Sequence, residues 1–276
     1  MEQHSIYYDC SAKEAVERHW RKYCLIKFLE ILAVVLICIW TLFSEGNFLI
    51  RLVWEVILII VAGMIANLLI GYNANQFIYI LFQDCDPQKM YDAMLLLDVK
   101  EKKKASKNDH YFQLAQSCLF YEGKLDEGFE YLQKVDYKKK FFSKEVSYYS
   151  ALANYAYLQN DREAHNRIKN EFKQLPNQIK KHNKMELKTY KSVENYMLLK
   201  EYLWDEKDSE ARMLLNELLS QELFLVNQVT FHMYLAKLDL KEQEYTNAKM
   251  HLEYVIAHGN TMKAVKEAKE LLQQID

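Results

Sequence analysis

Histidine is the side chain of this sequence best suited to acid–base chemistry or metal binding, yet its positions favour neither. Of the eight histidines, neither the pair His4 and His19 nor the pair His251 and His258 has an acidic partner at metal-ligand spacing. His165 falls on a polar helix face, where a solvated side chain is expected. The glycine-rich phosphate loops, nucleophile elbows and H-E-x-x-H motifs of common enzyme sites are also missing from the sequence. We therefore expect a non-catalytic protein with no cofactor and no metal.

Cysteine and paired carboxylates are the other residues with chemical potential. The cysteines are scattered, without a C-x-x-C pair: Cys10, Cys24, Cys38, Cys85 and Cys118. Their odd number, with one thiol inside an apolar run, argues against a disulfide framework and fits a reducing compartment. Asp84 and Asp86 form a carboxylate pair, but a structural role explains them, because Asp86 followed by Pro87 is a typical helix start.

The composition predicts an all-α protein. The 276 residues include only 6 Gly and 2 Pro, too few for the tight turns of sandwiches, barrels and doubly wound folds. Half of the residues are apolar and 27% are charged, which is typical of an ordered chain. A net charge of −2 excludes a dedicated nucleic-acid binder, because such proteins need surplus positive charge to neutralise phosphates.

Two apolar runs near the N-terminus predict a transmembrane helical hairpin. The first, at 24–43, has twenty residues, enough to cross the hydrocarbon core of a bilayer as a helix. The second crossing is predicted at 49–72, with Arg51 and Glu55 in its first turns, and the sequence carries no charge from Val56 to Gln83. A short loop at 44–48 joins them. The alternative is a buried helical hairpin in a soluble protein, but a core helix rarely stays apolar on every face for this length.

Basic residues set the expected orientation. Four precede the first run within reach of the membrane: Lys13, Arg18, Arg21 and Lys22. The connecting loop region offers only Arg51, offset by Glu45 and Glu55. The positive-inside rule therefore places the segment 1–23 in the cytoplasm, and two crossings return the C-terminal part there. We expect an integral membrane protein of a bacterial cell membrane, with both termini cytoplasmic.

After a linker with connecting helices at 73–108, the remainder at 109–276 repeats. Four segments share an apolar helix, a polar turn, a small residue and further apolar positions. The small residues are Gly128, Ala164, Ala211 and Ala248, with separations of 36, 47 and 37 residues. Spacings near 34 indicate helix–turn–helix repeats, in which the small residue lets two helices approach closely. An irregular α-bundle with accidental periodicity is the alternative.

The repeats resemble the tetratricopeptide repeat family, although the family's Trp and most of its Gly and Pro positions are absent. The matching residues are Ala151, Leu152, Tyr155, Ala164, Ile168 and Pro176 in the second segment, and Leu235, Ala236, Tyr245 and Ala248 in the fourth. The resemblance implies an all-α fold in which the transmembrane hairpin precedes a tetratricopeptide-like α-solenoid of antiparallel helix pairs.

The resemblance also implies a peptide-binding groove on the first helices of the repeats. Its positions are Tyr121, Tyr149, Tyr157, Tyr196, Lys200, Trp204, Lys237 and Lys241. Aromatic walls with interspersed lysines would suit a protein or peptide partner that carries acidic groups. The alternative is that these tyrosines only pack between helices.

Two functions remain open at this point. The first is a membrane-anchored, non-catalytic scaffold or adaptor with a protein partner in the cytosol or membrane. The second is a regulatory, sensor or immunity-type protein whose hairpin contacts another membrane component. For the second function, Asn67 and the small residues Ala62, Gly63 and Ala66 are candidates for helix contacts inside the bilayer.

Overall fold

The computed structural model describes residues 4–45, 47–100, 104–136, 141–179 and 182–275, and its regular structure over these ranges is entirely α-helical. The predicted all-α class is therefore confirmed. The chain divides into two compact units, Met1–Ile80 and Leu81–Asp276. Residues 101–103, in the predicted linker region, lie outside the described ranges, and a helix begins directly afterwards at Lys104.

The first unit is built on two long helices, α1 (Ala12–Phe43) and α2 (Phe48–Phe82). Ser11 caps α1 by accepting a hydrogen bond from the Glu14 amide, and the Glu14 carboxylate bonds back to the Ser11 amide. Each helix is long and apolar enough to cross a bilayer, and none of the most apolar stretch of either helix is buried. That exposure argues against the soluble-core alternative, because a core helix would be covered by protein.

A small core forms where the N-terminal segment meets the far end of α2. The Tyr7 hydroxyl donates to Asn73 Oδ1 at 3.2 Å, and the Tyr7 ring meets Phe77 edge-on at 5.6 Å. His19 contacts the same Phe77 ring at 4.7 Å, and the Asn73 amide donates to the His19 carbonyl. These contacts attach the segment before the first span to this end of α2.

The second unit continues with α3 to α12. Their bounds are α3 Pro87–Lys100, α4 Lys104–Phe120, α5 Leu125–Gln133, α6 Phe142–Leu158, α7 Arg162–Gln178, α8 Lys184–Trp204, α9 Asp208–Leu219, α10 Leu225–Lys241, α11 Tyr245–His258 and α12 Lys263–Ile275. The predicted start at Asp86 and Pro87 is confirmed, since Asp86 Oδ1 accepts a hydrogen bond from the Lys89 amide. The longest repeat spacing coincides with α8, whose 21 residues exceed the 17 of α6 and of α10.

Consecutive helices pack as the pairs α4/α5, α6/α7, α8/α9 and α10/α11. Each apolar core joins one pair to the first helix of the next. One core draws on α4, α5 and α6, and the next on α6, α7 and α8. A third draws on α8, α9 and α10, and a fourth on α10, α11 and α12. Neighbouring cores therefore share a helix, and the apolar packing is continuous from α4 to α12.

The small repeat residues lie on the second helices, as the pattern predicts. Gly128, Ala211 and Ala248 are buried, whereas Ala164 is half-buried. Gly128 is the most demanding position, because a Cβ there would lie 2.0 Å from the Tyr155 hydroxyl oxygen and 2.3 Å from Cys118 Cβ. Here α5 approaches α4 and α6 so closely that only glycine fits.

A second periodic feature marks the turn inside each pair. One residue of each turn has a positive φ: Gly123 (71°), Asn160 (57°), Glu206 (55°) and Gln243 (63°). In the last three turns the next amide donates to the carbonyl five residues earlier, at 2.8–2.9 Å. This is the bond that closes a helix before a left-handed residue. The left-handed residue therefore recurs in all four turns, and the closing bond in the last three.

Candidate functional site

The centre of the expected groove is an aromatic cluster around Lys200 on α8. The Tyr157 ring on α6 contacts Trp204 at 4.9 Å between centroids and Tyr234 on α10 at 6.3 Å. Lys200 Nζ lies 4.5 Å from the Tyr157 ring centre and 5.9 Å from that of Tyr234. We call Tyr157, Lys200, Trp204 and Tyr234 the aromatic cluster. Three first helices thus bring their side chains to one place.

Tyr234 is the member that the sequence interpretation missed. It lies three residues before Lys237, which places both on the same face of α10. The signal was therefore present, since Lys237 was already a predicted groove residue. The tetratricopeptide-like register that assigned the other groove positions did not assign Tyr234 to the groove.

Three predicted groove residues pack elsewhere. Tyr149 is buried against Phe172, with its hydroxyl donating to Glu171 at 3.3 Å. Tyr196 meets Phe231 edge-on at 5.5 Å inside the α8–α10 core. Tyr121 follows α4 and meets the Tyr91 ring at 5.8 Å. The structure does not bring these tyrosines to the aromatic cluster.

The two outer lysines are already paired with acids. Lys237 Nζ lies 2.6 Å from Glu267 Oε1 on α12, and Lys241 Nζ lies 2.6 Å from Asp208 Oδ2 on α9. Both lysines are exposed, so these pairs are weak and a competing acidic partner can exchange with them.

Lys200 differs from them because it is only 7% exposed. Across the described ranges, no carboxylate forms an ion pair with it, and the tyrosine rings are its nearest electrostatic compensation. Burial, together with the neighbouring Lys263, lowers the pKa of Lys200 to about 7. Its amine is therefore poised between its charged and neutral forms at neutral pH.

His165 is not solvated, and that expectation is wrong. Its side chain is completely buried, edge-on to the Trp204 ring at 5.0 Å and 3.9 Å from Glu201 Oε1. Burial lowers the pKa of His165 to about 4, so the imidazole is neutral at physiological pH. The polar residues around it in sequence face solvent, while His165 itself turns toward α8.

A histidine pair joins α10 to α11. His232 Nδ1 lies 2.8 Å from His251 Nδ1, and Tyr254 stacks on His232 at 3.9 Å. His251 Nε2 lies 3.7 Å from the buried Asp239, whose carboxylate accepts from Arg212 at 2.6 Å. Sequence spacing could not reveal this pair, because its two histidines lie on different helices. Within the part of the chain that the structure describes, no group of three or more His, Cys, Asp or Glu residues could hold a metal ion.

The chain matches no protein-family model, no curated protein and no solved structure. The functional argument therefore uses the residues and geometry of this chain itself.

Proposed function

We propose that this protein is a membrane-anchored adaptor. In this proposal α1 and α2 span the bilayer, both termini are cytoplasmic, and the helices from α4 onward form a tetratricopeptide-like solenoid that binds a protein partner. No catalysis or cofactor is required. The basic residues before the first run support the orientation.

The observation that carries the proposal is the sharing of helices between successive cores. Each apolar core draws on one helix pair together with the helix that follows that pair. This is how stacked repeats are stabilised, with each unit packing on its neighbours. The recurring left-handed turns support the same interpretation. Stacked repeats are typical of binding scaffolds, which present a wide surface and carry out no chemistry.

The partner surface in this proposal is the aromatic cluster together with Lys237 and Lys241. Tyr157, Trp204 and Tyr234 are each half-buried, so part of each ring remains available for contact. Large aromatic side chains provide contact area at low entropic cost, and the two lysines favour acidic segments.

Photocrosslinking in intact membranes tests the adaptor proposal. A benzophenone amino acid at Lys237 is expected to capture one defined partner protein. The same probe at Glu253, which is exposed on the second helix α11, is the control and should not capture it. Equal capture from both positions, or none from Lys237, would remove the proposed surface.

A regulatory, sensor or immunity-type role is the second candidate, and Asn67 favours it. Ala66 of α2 is buried. A Cβ at Gly63 would lie 3.9 Å from Glu30 Oε1 of α1. These two small residues therefore point toward the interior of the first unit. Asn67, in contrast, is exposed in the middle of the apolar stretch. A polar amide in that position suits a hydrogen bond to a further membrane helix.

Asn67→Leu separates the two candidates. Under the regulatory proposal the variant stays in the membrane but loses its function, since only the contact to the other component is removed. Ile65→Leu is the conservative control on the same helix. A variant with full function would leave the hairpin as an anchor alone.

A further inference from the structure

A small cavity lies in the second unit, among the helices that come first in each helix pair. It is bordered by α4, α6, α8, α10 and α12 and by the turn before α12, and its volume is about 120 Å³. Its apolar wall consists of Leu119, Phe120, Leu158, Met233, Met262 and Ala264. An apolar cavity of about 150 Å³ is known to admit benzene, so this one accommodates a body of roughly five or six carbon atoms.

The charges around the cavity do not balance. Lys200, Lys237, Lys263 and Glu267 all line it. Glu267 lies 2.6 Å from Lys237, and its charge also acts on Lys263, so among the lining residues one carboxylate faces three lysines. One of these, Lys200, is more than nine-tenths buried.

A buried amine without an anion is costly, because desolvation is not offset by an opposite charge. Cation–π contacts with the rings of Tyr157 and Tyr234 offset part of that desolvation penalty. An anion bound in the cavity would offset more of the desolvation penalty, since a charge-assisted hydrogen bond in a partly dry site is stronger than one in water.

We propose that this cavity binds a small organic anion whose carboxylate pairs with Lys200 and whose short apolar or aromatic body fills the apolar wall. The volume excludes a folded segment and favours a free small molecule. Lys263, which also lines the cavity, adds a second positive charge. The cavity shares Lys200, Tyr234 and Lys237 with the proposed partner surface, but binding of a small anion requires no docked protein and is measured without one.

Calorimetry on the full-length protein in detergent micelles tests the site with phenylacetate and its uncharged amide, phenylacetamide. We expect phenylacetate to bind at least about tenfold more tightly, because only the acid can pair with Lys200. Equal affinities for the acid and the amide, or no binding of phenylacetate at millimolar concentration, would overturn the proposal.

Two variants locate the binding. Lys200→Met keeps the length of the side chain and removes the charge, and we expect it to weaken phenylacetate binding at least about tenfold. Lys188→Met removes an exposed lysine of α8, the helix of Lys200, that does not line the cavity, and it should bind like the wild type. An unchanged affinity in Lys200→Met would show that the carboxylate does not pair with this amine and would contradict the proposal.

Ala264→Phe provides an independent test that leaves the charges in place. The larger side chain fills the apolar wall, so phenylacetate should be excluded while the circular dichroism spectrum stays helical. A folded Ala264→Phe variant that still binds phenylacetate as tightly as the wild type would place the ligand elsewhere and contradict the proposal.

Discussion

At position 128 the missing Cβ matters more than helix propensity. Replacing glycine by alanine inside a helix ordinarily stabilises it by about 1 kcal/mol. Here the added Cβ would meet Tyr155 and Cys118 at 2.0 and 2.3 Å, so α5 would have to move. We expect Gly128→Ala to lower the free energy of unfolding by about 2–3 kcal/mol.

Chemical denaturation of the detergent-solubilised protein measures this change. Gly71→Ala is the matched control, because Gly71 also lies inside a helix and nothing approaches its Cβ position within 4 Å. It should be neutral or slightly stabilising. A Gly128→Ala variant as stable as the wild type would contradict the close packing of α4, α5 and α6.

Lys200 makes stability depend on pH. Its pKa is about 7 in the folded protein against an ordinary 10.5, so between these values the unfolded chain binds the extra proton. Folding is therefore penalised increasingly as pH falls from 10.5 to 7, and the penalty stays constant at lower pH.

Lys200→Met removes this penalty. We expect the variant to exceed the wild type at pH 6 by on the order of 3 kcal/mol, with the difference shrinking toward pH 10. Unfolding measured across this pH range checks the slope. Lys241→Met should show no such gain, because the pKa of Lys241 is raised by its hydrogen bond to Asp208. A pH-independent difference for Lys200→Met would show that its amine is not desolvated.

Single residues were predicted from the sequence only in part. The resemblance to tetratricopeptide repeats implies that Tyr157, Lys200 and Trp204 line one groove, and these three side chains do meet. Spacing alone does not tell how completely other helices cover a face. For that reason the sequence predicted that Lys200 and His165 lie in helices, but it did not predict that these side chains are buried.

Helices were more predictable than residues. Long apolar runs determine α1 and α2, and both helices extend beyond the predicted crossings because no proline or left-handed residue stops them. The order of first and second helices follows from the small residues. The left-handed turns at Glu206 and Gln243 were not predictable, since neither residue type favours a positive φ.

Charge placed in the middle of α2 tests its proposed environment. Ile60 is exposed within the apolar stretch, so Ile60→Arg would put a cation near the bilayer centre at a cost of about 2.5–3.5 kcal/mol. We expect reduced recovery in the membrane fraction. Met213→Arg is the control, because Met213 is also exposed but lies on α9. Equal recovery of both variants would contradict a spanning α2.

For the whole molecule, the sequence indicates two parts because composition changes sharply after the second apolar run. The structure divides the chain at about the same place, after Ile80. The position of α12 depends on contacts with distant parts of the chain. In the structure its residues line the same cavity as α4, and Lys266 pairs with Glu122 across 144 residues. Such a long-range contact has no local sequence signal.

The orientation of the chain in the membrane is the most direct test of the adaptor account. In full-length protein, a cysteine introduced at Asn47 should react with a membrane-impermeant maleimide in intact cells, above the wild-type background. A cysteine at Glu253, exposed on α11, should react only after the cells are permeabilised. Reaction of the Glu253→Cys variant in intact cells, or its recovery in the soluble fraction, would contradict a hairpin that holds the helical repeats in the cytoplasm.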